Sequence, residues 1–191
     1  TSLSYDSSLI VLAIPRGGVV IGSQLASVLG CPLEVMVTKK IGAPGNPELA
    51  VGAIGFTGEP VIDEALAAKV GADETYLQNQ IDILKKQIAE SIKNFSQDKK
   101  PLVFKDKTVI LTDDGVATGA TMKAAIEILR QENPQKIIVA VPVISKEALK
   151  EIEALADEVV FLEAPDLFLA VGQFYENFEQ VTDEEVKKLL P

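Results

Sequence analysis

Five short runs of apolar, largely β-branched residues punctuate the chain: Leu9 to Ile14, Leu33 to Thr38, Lys107 to Thr112, Lys136 to Val141 and Val159 to Leu162. Each is too short for a helix and reads as a buried strand. Between them the apolar residues change to helical spacing. Val20, Leu25, Val28 and Leu29 form one such set, and Met122, Ala125, Ile126 and Leu129 form another. Ser145 caps a third helix that turns Leu149 and Ile152 inward. The longest helix runs from Asp73, a capping residue, to about Phe95, with Leu77, Ile81, Leu84, Ile88, Ile92 and Phe95 as its apolar stripe. Strands alternating with helices predict an α/β fold, an open, mostly parallel sheet of about five strands with helices on both faces. Thr182 and Glu185 have capping-box spacing and open a last short helix.

The polar stretches differ in kind. Lys39 to Glu48 holds two glycines, two prolines and an asparagine, a density that predicts an irregular loop rather than a strand or helix. Leu49 to Ile54 and Pro60 to Ile62 then read as a short hairpin closing it. Lysines 99, 100, 105 and 107 read as a solvated connector. The segment from Glu163 to Tyr175 is dense in aromatics for a chain that has few.

Two strand–turn–helix corners carry the candidate chemistry. In the first, Pro15-Arg16-Gly17-Gly18 follows the opening strand. Taken by itself it is either a tight α/β connection or an anion loop, with glycine N–H groups and the Arg16 guanidinium aimed at phosphate. In the second, Val109 to Thr112 runs into Asp113 and Asp114, then Gly115, Val116, Ala117, Thr118, Gly119, Ala120 and Thr121, where a helix begins. Small residues let the backbone approach an anion, hydroxyls add donors, and helix-start N–H groups carry partial positive charge. The loop has no lysine and is not a nucleotide-triphosphatase P-loop. Two carboxylates repel phosphate, so the fitting ligand has hydroxyls or a divalent metal on one side and phosphate on the other, as a ribose 5-phosphate does.

Composition narrows the chemistry further. The chain has 191 residues, read as a single domain over 1–191, and a net charge of −10 that argues against a general nucleic-acid binder. There is no histidine, which removes histidine triads, two-histidine zinc sites and histidine acid–base catalysis. The single cysteine, Cys31, cannot form an internal disulfide and reads as structural. Without a signal peptide or membrane-length apolar run, the expected compartment is the cytoplasm. The chain opens on threonine with a strand almost at once, so a trimmed N-terminus is expected.

The stretch from Val109 to Thr121 resembles the PRPP-binding motif of type I phosphoribosyltransferases: apolar residues, two acids, two variable positions, then A/D-T-G-x-T (PRPP is 5-phosphoribosyl-1-pyrophosphate). The resemblance implies transfer of a 5-phosphoribosyl group between PRPP and a nitrogenous base, with pyrophosphate released, as in nucleotide salvage. It implies that Asp113 and Asp114 hold ribose hydroxyls and orient a Mg2+ carried by PRPP, with no direct protein ligand set. Ala117 to Thr121 would cradle the 5′-phosphate, with Gly115 and Val116 also in the PRPP site, and Arg16, Gly17 and Gly18 would form the pyrophosphate loop. Lys39 and Lys40 stand where the family has a mobile loop, within 39–62, although a solvated turn explains them equally. Residues 163–191 would form a small hood, in which Phe168, Leu169 and Ala170 meet the base as in 6-oxopurine enzymes. Core packing is the rival role for Phe168. Those enzymes carry an aspartate where this chain has Ala117, which leaves the base open. A homodimer is the family's usual state. A non-catalytic PRPP or nucleotide sensor is the alternative reading.

Overall fold

A computed structural model describes residues 8–95 and 103–190. The elements run β1 (Leu9–Ala13), α1 (Gly17–Leu29), β2 (Leu33–Val35), β3 (Thr38–Ala43), β4 (Asn46–Gly55), β5 (Pro60–Ile62), α2 (Glu64–Lys69), α3 (Glu74–Phe95) and β6 (Thr108–Thr112). They continue with α4 (Ala120–Gln131), β7 (Lys136–Val143), α5 (Lys146–Glu153), β8 (Glu158–Glu163), a 3-10 turn (Val171–Phe174) and α6 (Asp183–Leu189). Part of the lysine connector, Lys99 and Lys100, lies outside the described residues.

The five runs read as strands form one parallel sheet in the order β2-β1-β6-β7-β8. β1, β6 and β7 are apolar on both faces because both are covered, whereas the edge strand β8, expected to be buried, is largely exposed, Leu162 at 87%. Ile10, Leu12, Val109, Leu111, Ile137 and Val139 face a core shared with α4 and α5, through Ile126, Leu129 and Ile152. Val11, Ala13, Leu33, Val35 and Ile110 face the other way, into a core shared with Val19 of α1, Ile81 and Ile88 of α3, and Val186 of α6. Each fully buried Leu or Ile contributes about 1.5–3 kcal/mol of transfer free energy. The predicted caps form: Asp73 accepts from the Tyr76 N–H at 2.8 Å and Ser145 from the Ala148 N–H at 3.1 Å. Thr182 and Glu185 close their reciprocal box.

Further stretches differ from their expectation. The run Leu33 to Thr38 is strand only to Val35, and Thr38 already opens β3 of a second sheet. Lys39 to Glu48 is not an irregular loop but most of an antiparallel hairpin, β3 paired with β4, to which β5 adds a third strand. The glycines and prolines are confined to places where a hairpin admits them. Pro44 and Gly45 form the two-residue turn between Ala43 and Asn46, with Gly45 at φ 72°. Gly42 sits at a register shift, where a Cβ would come 2.8 Å from the Pro47 backbone. The hairpin leans on α3 with one face and α4 with the other.

After β8 the chain does not simply leave the sheet. Residues 164–190 cross the carboxyl ends of the strands as a strap. Lys146, just after β7, pairs with Asp166. Val171 packs on Gly115, just after β6. Helix α6 then docks on α1 and α3, burying Val186 completely. Among the described residues no helix is long and apolar enough to cross a membrane.

Candidate functional site

The two corners predicted to carry chemistry lie side by side because β1 and β6 are neighbours, paired from Leu9–Thr108 to Ala13–Thr112. The Ile14 N–H donates to the Thr112 carbonyl at 2.9 Å and extends that pairing to the start of both turns. The contact between the turns is close. A Cβ on Gly17 would lie 1.8 Å from Asp114 Oδ2, and one on Gly18 would lie 2.8 Å from the Asp113 Cα. Both glycines are therefore required by the acid pair itself, a reason the sequence pattern does not show. The Pro15–Arg16 peptide in this turn is cis.

The acid pair is electrostatically tense. Burial, and then the adjacent Asp114 charge, push the Asp113 carboxyl up to about 8. Burial also raises Asp114. The Asp114 N–H donates to Asp113 Oδ1 at 2.8 Å, which fixes the first carboxylate against its own loop. Just before the pair, Thr112 is fully buried and its hydroxyl has no partner among the described residues. Such an orphan costs about 1–3 kcal/mol.

Beyond the acids the loop is stitched at one point and open elsewhere. Val116 bridges the end of β7, donating to the Val143 carbonyl and accepting from the Ser145 N–H, both at 2.9 Å. Ser145 Oγ donates to the Ala117 carbonyl at 2.6 Å. By contrast Ala117, Thr118, Ala120 and Thr121 are exposed. The N–H groups of Ala117, Thr118 and Gly119 donate to no protein group among the described residues. Gly119 adopts φ 74° as α4 starts. The result is a run of unclaimed donors at a helix start, open to solvent at Ala117 and Thr118 and sheltered at Gly119, the arrangement that favours an anion.

Two cavities flank this loop. One, of about 390 Å3, is lined by Arg16, Gly17, Val20, Ile21, Asp114, Tyr175 and residues 177–181. The other, of about 670 Å3, lies between the hairpin and α4 and is lined by Lys39, Lys40, Ala120, Thr121 and Lys123 among others. The predicted cations are thus divided between two sides of the loop. Lys40 is exposed and pairs with Glu48 at 3.3 Å.

The strap supplies residues that sequence reasoning missed. Tyr175 donates its phenol to the Asp114 carbonyl at 2.6 Å and stacks on Phe178, ring centres 5.2 Å apart. Burial and the two aspartates push its hydroxyl up to about 12, so it remains a donor. Phe168 packs on Phe174 at 5.2 Å and lines neither cavity. Leu169 and Ala170 are exposed, but their N–H groups already donate to Gln173 Oε1, at 3.2 and 3.4 Å. Tyr175 stood in the aromatic segment, yet no spacing rule tied it to Asp114, 61 positions away.

The family model described as phosphoribosyl transferase domain matches residues 4–179. This chain belongs to that family. Two curated Mycobacterium tuberculosis proteins, from strains CDC 1551 and H37Rv, provisionally named phosphoribosyl transferases, are each 37% identical over 186 residues. Those alignments cover 96% of this chain but only 41% of each relative. The crystal structure of TT1426 from Thermus thermophilus superposes with a TM-score of 0.85 at 42% identity, covering 96% of this chain and 87% of that one. The five-stranded parallel sheet with helices on both faces is thus the phosphoribosyl transferase fold, as the acid motif implied.

Proposed function

We propose that this phosphoribosyl transferase domain moves a 5-phosphoribosyl group between PRPP and a nitrogenous base, releasing pyrophosphate. The observation that carries the reading is the contact of the Arg16–Gly18 turn with Asp113 and Asp114, beside the unclaimed N–H groups of Ala117 to Gly119. That juxtaposition matches a ligand with anions at both ends and hydroxyls in the middle. In this reading Ala117 to Thr121 cradle the 5′-phosphate, Asp113 and Asp114 hold the ribose hydroxyls, and Arg16, Gly17 and Gly18 hold the pyrophosphate. Lys39 and Lys40 line the cavity on the other side of the loop, beside Ala120 and Thr121, and in this reading they face the 5′-phosphate end. Charge-assisted hydrogen bonds of about 1.5–3 kcal/mol each make micromolar binding, about 8 kcal/mol, reachable with a handful of contacts.

The residues fit Mg2+ delivered with the ligand. The donors at the acid pair are hard oxygens, and among the described residues no three of His, Cys, Asp or Glu come together as a cage. A bound Mg2+ supplies charge neutralisation at the pyrophosphate oxygens. The chain's own contribution is position and electrostatics, which a ribosyl transfer without a protein nucleophile needs and which the absence of histidine does not obstruct.

The acceptor is assigned to the strap segment Phe168 to Ala170, where the Gln173 carboxamide now occupies the N–H groups that would read a base edge. The deciding experiment measures pyrophosphate release from PRPP and Mg2+ across purine and pyrimidine bases, with the Asp113→Asn/Asp114→Asn double variant as the blank. Release with one base establishes the transferase and names its substrate. PRPP binding without release from any base supports a sensor, and PRPP binding unchanged in the double variant removes the assignment.

A further inference from the structure

The strap ends beside the anion turn with a charge of the wrong sign for a ligand-binding role. Arg16 Nη1 lies 3.7 Å from Asp183 Oδ1, the first residue of α6. Both side chains are partly open to solvent, 37% and 56% exposed. The cavity in front of Arg16 is lined also by Asp114 and Glu179, so it has one guanidinium among carboxylates. An anion entering there meets an arginine that already has a counter-charge.

We infer that Asp183 is an affinity-setting residue: an internal rival that holds Arg16 until an anionic ligand displaces it, which couples occupancy of the anion turn to the seating of α6. The inference rests on the proposed role of the Arg16–Gly18 turn. Three features make the exchange feasible. The pair is long and solvated, so it is easily broken. Asp183 is dispensable for the helix, since the cap is made by Thr182 and Glu185 and the anchor is Val186. The strap is also held at Tyr175, so releasing Asp183 loosens only its last segment.

The test is calorimetric titration of the whole chain with inorganic pyrophosphate and Mg2+, alongside hydrogen exchange of the α6 amides with and without that probe. Asp183→Asn is expected to tighten binding by about two- to fivefold, the size of a solvated ion pair. Asp183→Glu, which keeps the charge, is expected to stay within about twofold of the parent. In an Arg16→Ala background the gain from Asp183→Asn disappears, and in the parent chain pyrophosphate accelerates exchange in α6. Equal affinity of the parent and Asp183→Asn overturns the inference while leaving the site standing, as does a gain that persists without Arg16. Binding seen only in Asp183→Asn supports it in its strongest form. Binding in neither protein removes the turn's anion role, and the inference with it.

Discussion

The two strand–turn–helix corners at the centre of the sheet use glycine and small residues for opposite ends. At Gly17 and Gly18 the missing side chains make room for another part of the protein, the acid pair. At Ala117 and Thr118 the same economy leaves backbone donors facing solvent with no hydrogen-bond partner among the described residues. The first corner is packed and the second is vacant, although both look alike as sequence. Substitutions in the first should therefore disturb the protein's own geometry, whereas substitutions in the second should be felt only by a ligand.

The largest effect concerns the carboxylate that the first corner buries. Asp113 holds its proton to about pH 8 in the folded chain, against an ordinary value of 3.8. Between those values the folded state binds more protons than the unfolded one, so stability falls as pH rises, by up to a few kcal/mol from about pH 4 to pH 8. Urea melts across that range should show the slope, and Asp113→Asn should flatten most of it. A parent chain more stable at the alkaline end of that range than at the acid end would contradict the buried pair.

Next in size, Gly17→Ala should lower PRPP affinity on the order of 100-fold, since the new methyl evicts the Asp114 carboxylate. Stability should fall by about 1–3 kcal/mol, because the methyl meets Asp114 Cγ at 2.6 Å and Cβ at 3.0 Å as well as the carboxylate oxygen. Calorimetry beside a thermal melt separates the two quantities. In the vacant corner, Thr118→Val should cost roughly tenfold in PRPP affinity and move stability by no more than about 0.5 kcal/mol. A large loss of stability there would show that the second corner is packed after all. Smallest is Tyr175→Phe, which removes one bond to the Asp114 carbonyl. It should cost about 1 kcal/mol in a denaturant melt, with a change in PRPP affinity of about threefold or less.

Much of this architecture was legible because burial imposes a period on the chain. The Val-Ile-Leu run of β6 is apolar at every position since both faces are covered, and the Leu77-to-Phe95 stripe of α3 repeats as a helix facing one core must. The hairpin was illegible for a local reason. Glycine and proline counted over ten residues look like disruption, whereas Pro44-Gly45 is a turn and Gly42 a register shift within a continuous ladder. The acid pair and both corners could be read from the motif. What could not be read were particular contacts: Gly17 against Asp114, Tyr175 on the Asp114 carbonyl, and Gln173 on the N–H groups of Leu169 and Ala170. The first depends on which strands are neighbours, the second on where the strap falls and the third on a local turn, none of which periodicity encodes.

The strap also sets an order of events during synthesis. Arg16 leaves the ribosome early and Asp183 late, separated by roughly ten to thirty seconds at ordinary elongation rates. For that interval the growing chain carries the guanidinium without its counter-charge, and for the shorter interval between Asp114 and Tyr175 it carries the acid loop without the tyrosine that clips it. Residues 175–183 are therefore the last of these to bring the site to its finished state, and a nascent chain that has not yet reached Asp183 should hold anions at Arg16 more readily than one that has passed it.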